Sequence, residues 1–295
     1  MGDSGVVARL GNMKALLGIV AGAGASYGLY KLISREGKRR NKKKATLTLF
    51  LLSGIYLYCT IFDDCTQPLV WSDICAYNVS ALLIHQNLIR EFDGIHIISA
   101  FLSDPATEVK IQTLNALNNL CMNIQNQEQI KIFVPRVLEL IEMSPVNSEL
   151  QLGALRLLTN LSVTDKHQHL LKGAVTLLLS LLVVSNETLQ VQTLKVLVNL
   201  SSNPDMIDDI VQAPASVMLL FDKRTAPAVL LRLLTFVGNL KAWRPSAQVA
   251  EELRRKQDGL FRVMLDESSQ LHGRLLQLLS HPDAEIQAQV ARVMT

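Results

Sequence analysis

The chain has 295 residues, 49% hydrophobic but only 5% aromatic, with a net charge of +3 and a mean hydropathy of +0.24. That length allows about two average domains, and a Leu-rich, aromatic-poor composition favours helix over sheet. Residues 31–44 carry a net +7 and residues 45–295 a net −5. The positive charge is therefore one local block, which excludes a nucleic-acid-binding body with basic residues over its folded face. Cys59, Cys65, Cys75 and Cys121 form no C-x-x-C pair and read as reduced thiols of a chain exposed to the cytosol.

Residues 1–33 read as an N-terminal membrane anchor. Ala15 to Tyr30 holds no charge, and Leu32, Ile33 and snorkelling lysines extend it towards the length of a bilayer core. A basic linker comes next at 34–44, with Lys38, Arg39, Arg40, Lys42, Lys43 and Lys44 as membrane-targeting residues. Such a flank keeps the rest of the chain on the cytosolic side. A cleaved signal peptide is the rival, because Ala23-Gly24-Ala25 imitates a cleavage site. Gly22-x-Gly24-x-x-x-Gly28 lacks the βαβ surroundings of a dinucleotide turn. Residues 45–74 open with a second uncharged run, Ala45 to Phe62. It is either a degenerate first repeat or a second span, with one span the favoured topology.

Residues 75–295 read as a repeat domain. VKIQTLNALNNL (109–120), LQLGALRLLTNL (150–161), LQVQTLKVLVNL (189–200) and VLLRLLTFVGNL (229–240) align without gaps. Their asparagines, Asn119, Asn160, Asn199 and Asn239, lie 41, 39 and 40 residues apart. Asn78 marks a degraded earlier copy. Leu114, Leu155, Leu194 and Leu234, with Leu117, Leu158, Leu197 and Val237 three positions later, form one buried helical stripe. Ser103-Asp104-Pro105, Ser144-Pro145, Ser185-Asn186 and Thr225-Ala226-Pro227 precede these long helices. Glu108, Glu149 and Glu187 stand near their first turns, where early acids and prolines belong. Gly94, Gly173 and Gly259 are expected as C-caps or turns. Each unit thus reads as two shorter helices and one long one, and the ~40-residue all-helical period lies in the armadillo/HEAT range. His281-Pro282-Asp283-Ala284-Glu285-Ile286 repeats the start of a long helix out of period, so the end is expected to be a modified capping repeat.

Asn87 to Asn119 resembles a whole armadillo unit. GALRLLTNLSVTDKHQHLL (153–171) and KIQTLNALNNL (110–120) resemble more closely the group of armadillo repeat-containing protein 10 and the X-linked armadillo-repeat mitochondrial proteins. The expected fold is all-α, an armadillo-type α-solenoid preceded by an N-terminal transmembrane helix. Residues 45–74 depart from that group, which has a polar linker there. The resemblance implies an adaptor on the mitochondrial outer membrane facing the cytosol, with the endoplasmic reticulum membrane as the alternative. It also implies a role in mitochondrial distribution through the motor-adaptor machinery and in cell growth and survival. A soluble regulatory scaffold acting on transcription factors is the other reading.

In armadillo proteins the third helix lines a groove, and its asparagines bond an extended peptide's backbone. An amide suits this because it both donates and accepts. Positions −4 and −7 from each Asn share its helical face. The expected groove is therefore Gln112, Asn115, Asn119, Arg156, Asn160, Gln192, Lys195, Asn199, Arg232 and Asn239, with Gly153 and Thr235 on the same face. The alternative is that each Asn bridges neighbouring helices. Arg156, Lys195 and Arg232 favour acidic or extended protein segments, and the absence of Trp at −4 argues against a nuclear-import receptor. No catalytic constellation, cofactor motif or metal set stands out. His167-x-His169, Asp208-Asp209 and Arg254-Arg255-Lys256 read as solvated faces, and the Asn-x-Ser/Thr sequons at Asn78, Asn160, Asn186 and Asn199 as incidental.

Overall fold

The structure, a computed structural model, describes residues 86–294 apart from Leu88 and Ala215. The expected anchor (1–33), the basic linker (34–44), the hydrophobic segment (45–74), the early copy at Asn78 and three of the four cysteines lie outside the described residues. The chain divides into two compact units, Met1–Ile97 and Ile98–Thr295. In the first, Asp93 at φ 61 turns the backbone, a left-handed conformation that Asp tolerates. Helix α1 (Gly94–Ala100) then begins.

The second unit is built on five long helices. They are α2 (Thr107–Leu120), α5 (Glu149–Ser162), α8 (Glu187–Ser201), α10 (Pro227–Ala242) and α13 (Ala284–Met294), each packed on the next. Two shorter helices precede α5, namely α3 (Ile124–Ile130) and α4 (Val134–Met143). Before α8 stand α6 (Asp165–Gln168), which runs through a 3-10 turn (His169–Ala174), and α7 (Val175–Val184). Before α10 stand α9 (Pro204–Gln212) and a 3-10 turn (Val217–Leu220).

The leucine stripe explains the stacking. All eight apolar positions of the repeat register, from Leu114 and Leu117 to Leu234 and Val237, are 0% exposed. Burying one such side chain contributes roughly 1.5–3 kcal/mol. Among the described residues one helical run, Asp165–Val184, is long and apolar enough to cross a membrane, and 50% of its apolar 18-residue window is buried. Its inward face belongs to the repeat core, with Leu171, Val175, Leu178 and Leu182 all buried.

The helix ends differ in detail from expectation. The side chain of Asn186 caps α8, accepting from Leu189 N at 3.0 Å, and Pro227 opens α10. The cap of α5 is Ser148, not Ser144, accepting from Gln151 N at 3.3 Å. Asp104 accepts from Ala106 N at 2.8 Å just ahead of α2. The glycines are not left-handed caps: no described glycine has positive φ, and the residues that do are Asp93 and Asn147. Gly94 opens α1, Gly173 lies within a 3-10 turn, and Gly259 pairs in an isolated bridge with Pro214.

The out-of-period end has a simple cause. Ala284-Glu285-Ile286 does begin a long helix, α13, which takes the next place in the stack on α10. Between them lie α11 (Ala247–Arg255), a π-helical turn (Phe261–Leu265) and α12 (Leu271–Leu278), a longer insertion than other repeats carry. Arg254 is half-exposed and has a buried partner. Its Nε donates at 2.7 Å to the buried Asp266, and bonds from Ser268 and then Arg254 hold the pKa of that carboxyl down at about 2.

Candidate functional site

The repeated asparagines are joined across the repeats. Asn160 Nδ2 donates to Asn118 O at 3.2 Å and to Asn118 Oδ1 at 2.9 Å. Asn199 Nδ2 donates to Thr159 O at 3.4 Å and Ser162 Oγ at 2.9 Å. Asn239 Nδ2 donates to Val198 O at 3.4 Å and Ser201 Oγ at 3.0 Å. Each amide thus reaches back to the residue just before the preceding repeat's asparagine. The donor half is committed inside the solenoid, so the structural alternative describes these nitrogens. The Oδ1 atoms of these three residues accept no hydrogen bond among the described residues. Glycosylation at Asn160 or Asn199 would break the ladder.

A second ladder runs the other way. Gln127 Nε2 donates to Cys121 O at 2.8 Å and to Asn160 O at 3.4 Å. Gln168 Nε2 donates to Ser162 O at 2.7 Å and to Asn199 O at 3.3 Å. Both glutamines are buried, and both bond carbonyls at the ends of two successive long helices, where helical partners run out; Asn199 O also accepts from Ser202 N at 3.3 Å and Ser202 Oγ at 2.7 Å. Their oxygens accept from Thr164 Oγ1 at 2.7 Å and Asn203 Nδ2 at 2.9 Å. Neither glutamine belongs to the expected groove set. Their signal in the sequence is the position eight residues after Asn119 and Asn160, occupied by Gln both times.

The expected groove residues fall into two sets. Lys195, Asn199 and Arg232 line one cavity of about 510 Å³ together with Thr159, Val163, Val198, Leu231, Thr235 and Glu285. Gln112 and Arg156 are exposed and Asn115, Asn119, Asn160 and Asn239 half-buried, outside that cavity. Gln192 lies beneath the face, 8% exposed, its Nε2 bonding Thr159 Oγ1 at 2.7 Å. Gly153 is buried too, where an added Cβ would lie 3.5 Å from Leu114 Cβ. Gly153 and Gln192 thus pack against the preceding long helix, whereas Gln112 and Arg232, at the same −7 position in their repeats, stay on the face. Lys195 Nζ reaches Gln192 Oε1 at 3.4 Å, and Arg232 Nη1 donates to Ala228 O at 2.8 Å. The cations are thus steadied on their own helices with charge unneutralised. Thr159 and Val198, one before each Asn, and Val163, three after, complete the face and are readable from the repeat. Glu285 is not, because it sits on the out-of-period helix.

His167 corrects another expectation. It is 2% exposed, not solvated. Its Nε2 meets Glu128 Oε1 at 3.2 Å, and its buried Nδ1 has no partner. A carboxylate only accepts, so Nε2 carries the proton. Glu128 is also bonded by Lys131 at 2.6 Å and by Lys166. Bonds from Lys131, Lys166 and His167 hold the pKa of its carboxyl down at about 2. Burial pushes His167 below its ordinary 6.5 despite Glu128. His169 is exposed, and among the described residues no three His, Cys, Asp or Glu side chains converge on a metal-sized site. Burial raises the Cys121 thiol to about 12, leaving it a packing group.

Stacked three-helix repeats whose long helices line one polar face define a class of helical scaffold, the armadillo-type α-solenoid. The chain belongs to the Armadillo-like family, whose model matches residues 72–265. A designed armadillo repeat protein in complex with the peptide (KR)4 is similar over 71% of this chain and 84% of its own, at 17% identity and a TM-score of 0.58. An engineered protein matches 92% of this chain and 57% of its own, at 17% identity and a TM-score of 0.59.

The ladders and the buried histidine lead to two expected outcomes. Asn199→Ala strips donors from Thr159 O and Ser162 Oγ and is expected to cost about 1–2 kcal/mol in urea unfolding, against under ~0.5 for the exposed Arg156→Ala. Equal effects would remove the ladder's structural role. A histidine whose folded pKa is depressed stabilises only while neutral. Its contribution is complete above 6.5 and lost as pH falls through its folded value. Glu128 acts in the same direction, complete above 4.5 and lost towards about 2. Melting temperature should therefore drop between pH 7 and 5, and less so in His167→Gln; matching profiles would refute the assignment.

Proposed function

We propose that this protein is a membrane-anchored adaptor whose groove holds an acidic, extended segment of a partner protein. The observation that carries the groove reading is the cavity at Lys195, Asn199 and Arg232, with Arg156 exposed one repeat earlier. An acidic segment is attracted to those three cations. The free Oδ1 atoms of the asparagine ladder are acceptors for its backbone N–H groups. The designed relative holds the basic peptide (KR)4; the charge on this groove opposes such a ligand.

The anchor is supported by the uncharged run Ala15 to Tyr30 and the basic block Lys38–Lys44 behind it. The resemblance to the X-linked armadillo-repeat mitochondrial group supports the outer mitochondrial membrane over the endoplasmic reticulum. It also supports work in mitochondrial distribution through motor adaptors, with effects on growth and survival.

Fluorescence anisotropy with a labelled Glu-rich dodecapeptide tests the groove. Binding should weaken at least about tenfold in the Lys195→Ala/Arg232→Ala double variant and fall with added salt; a Lys-rich dodecapeptide binding as tightly would sink the reading. Carbonate extraction of cell membranes tests the anchor. The full chain should stay in the pellet and a chain lacking residues 1–44 should be released, whereas retention of the shortened chain would place the anchor elsewhere.

A further inference from the structure

The groove cavity presents both signs of charge. Along the stacked long helices the charged groups run from Arg156 on α5 through Lys195 on α8 and Arg232 on α10 to Glu285 on α13. Glu285 lines the same cavity as Lys195 and Arg232. It is exposed, in the first turn of its helix, where its backbone N donates to Asp283 Oδ1 at 2.8 Å. It makes no ion pair among the described residues. Lys195 and Arg232 bond to Gln192 and Ala228 on their own helices, not to Glu285. The two cations and the carboxylate therefore remain open to an occupant. Val163, Val198 and Leu231 add apolar lining to the floor and rim of the same cavity.

We infer that the preferred partner segment has mixed charge. Acidic residues lie over α8 and α10, apolar residues on the floor, and a basic residue meets Glu285, which acts as a specificity-determining residue. The inference rests on the acidic-segment reading above and adds a required basic position. An all-acidic segment would set like charge against Glu285, and an all-basic one against Lys195 and Arg232, so each is penalised at one end. Packed helices lie ~8–10 Å apart, and an extended chain advances ~3.3 Å per residue. The basic residue therefore stands about three positions from the acid over Arg232 and about five to six from the acid over Lys195.

The test uses the full chain in detergent micelles and two labelled dodecapeptides, one of Glu and Val only, the other with a Lys pair starting three positions after its last Glu. The wild type should bind the mixed peptide about five- to tenfold more tightly at low salt, and Glu285→Lys should reverse that order. Glu285→Gln should abolish the preference without weakening the Glu/Val peptide. Equal binding of both peptides by the wild type, or a preference unchanged in Glu285→Lys, overturns the inference while leaving the acidic groove standing. Failure of both peptides to bind the wild type overturns both.

Discussion

Everything in the second unit depends on the stacking of long helices whose inner stripe cannot be buried within a single repeat. Leu155 and Leu158 of α5 reach complete burial because α2 and α8 close on either side. In such an array stability is a sum of repeat and neighbour contributions, so whatever joins neighbours decides whether the array holds. Apolar burial carries most of that, but it has no direction and does not by itself set the offset between one helix and the next. The two amide ladders set it. Asn160, Asn199 and Asn239 reach towards the N-terminal neighbour, while Gln127 and Gln168 reach towards the C-terminal one.

The chemistry of the groove is a consequence of that arrangement. An amide with its nitrogen committed offers a partner only its oxygen. The ladder can accept from a peptide's N–H groups and cannot also donate to its carbonyls. In the proposed groove, charge would therefore take a larger share in recognition, through Arg156, Lys195, Arg232 and Glu285. The pair at Gln192 and Thr159, 2.7 Å apart, shows the same economy, with polar groups beneath the face bonding each other.

The repeat period, the three-helix unit and the leucine stripe are legible in the sequence, because identical packing demands recur at Leu114, Leu155, Leu194 and Leu234. The second ladder is less legible. Gln127 and Gln168 recur only twice, Ile207 standing at the third position, and polar residues on short helices look like surface. His167 misleads for the same reason. It sits in an otherwise polar tetrapeptide helix, and only the fold shows that the neighbouring repeat's Glu128 lies over it. Arg254 has its partner, Asp266, across a turn of twelve residues that no local pattern links. Of the cavity, Lys195, Asn199 and Arg232 are predictable from helical spacing, whereas Glu285 requires knowing that the insertion returns α13 to the stack.

Those ladders also divide the labour of the side chains. The atoms that lock repeat to repeat are buried and half-buried amides, hydroxyls and backbone carbonyls; those that would face the proposed occupant are the charged tips of Arg156, Lys195, Arg232 and Glu285. A substitution at a tip leaves the spine untouched, so under the proposed reading the groove's preference would drift between partners at almost no mutational cost to the scaffold.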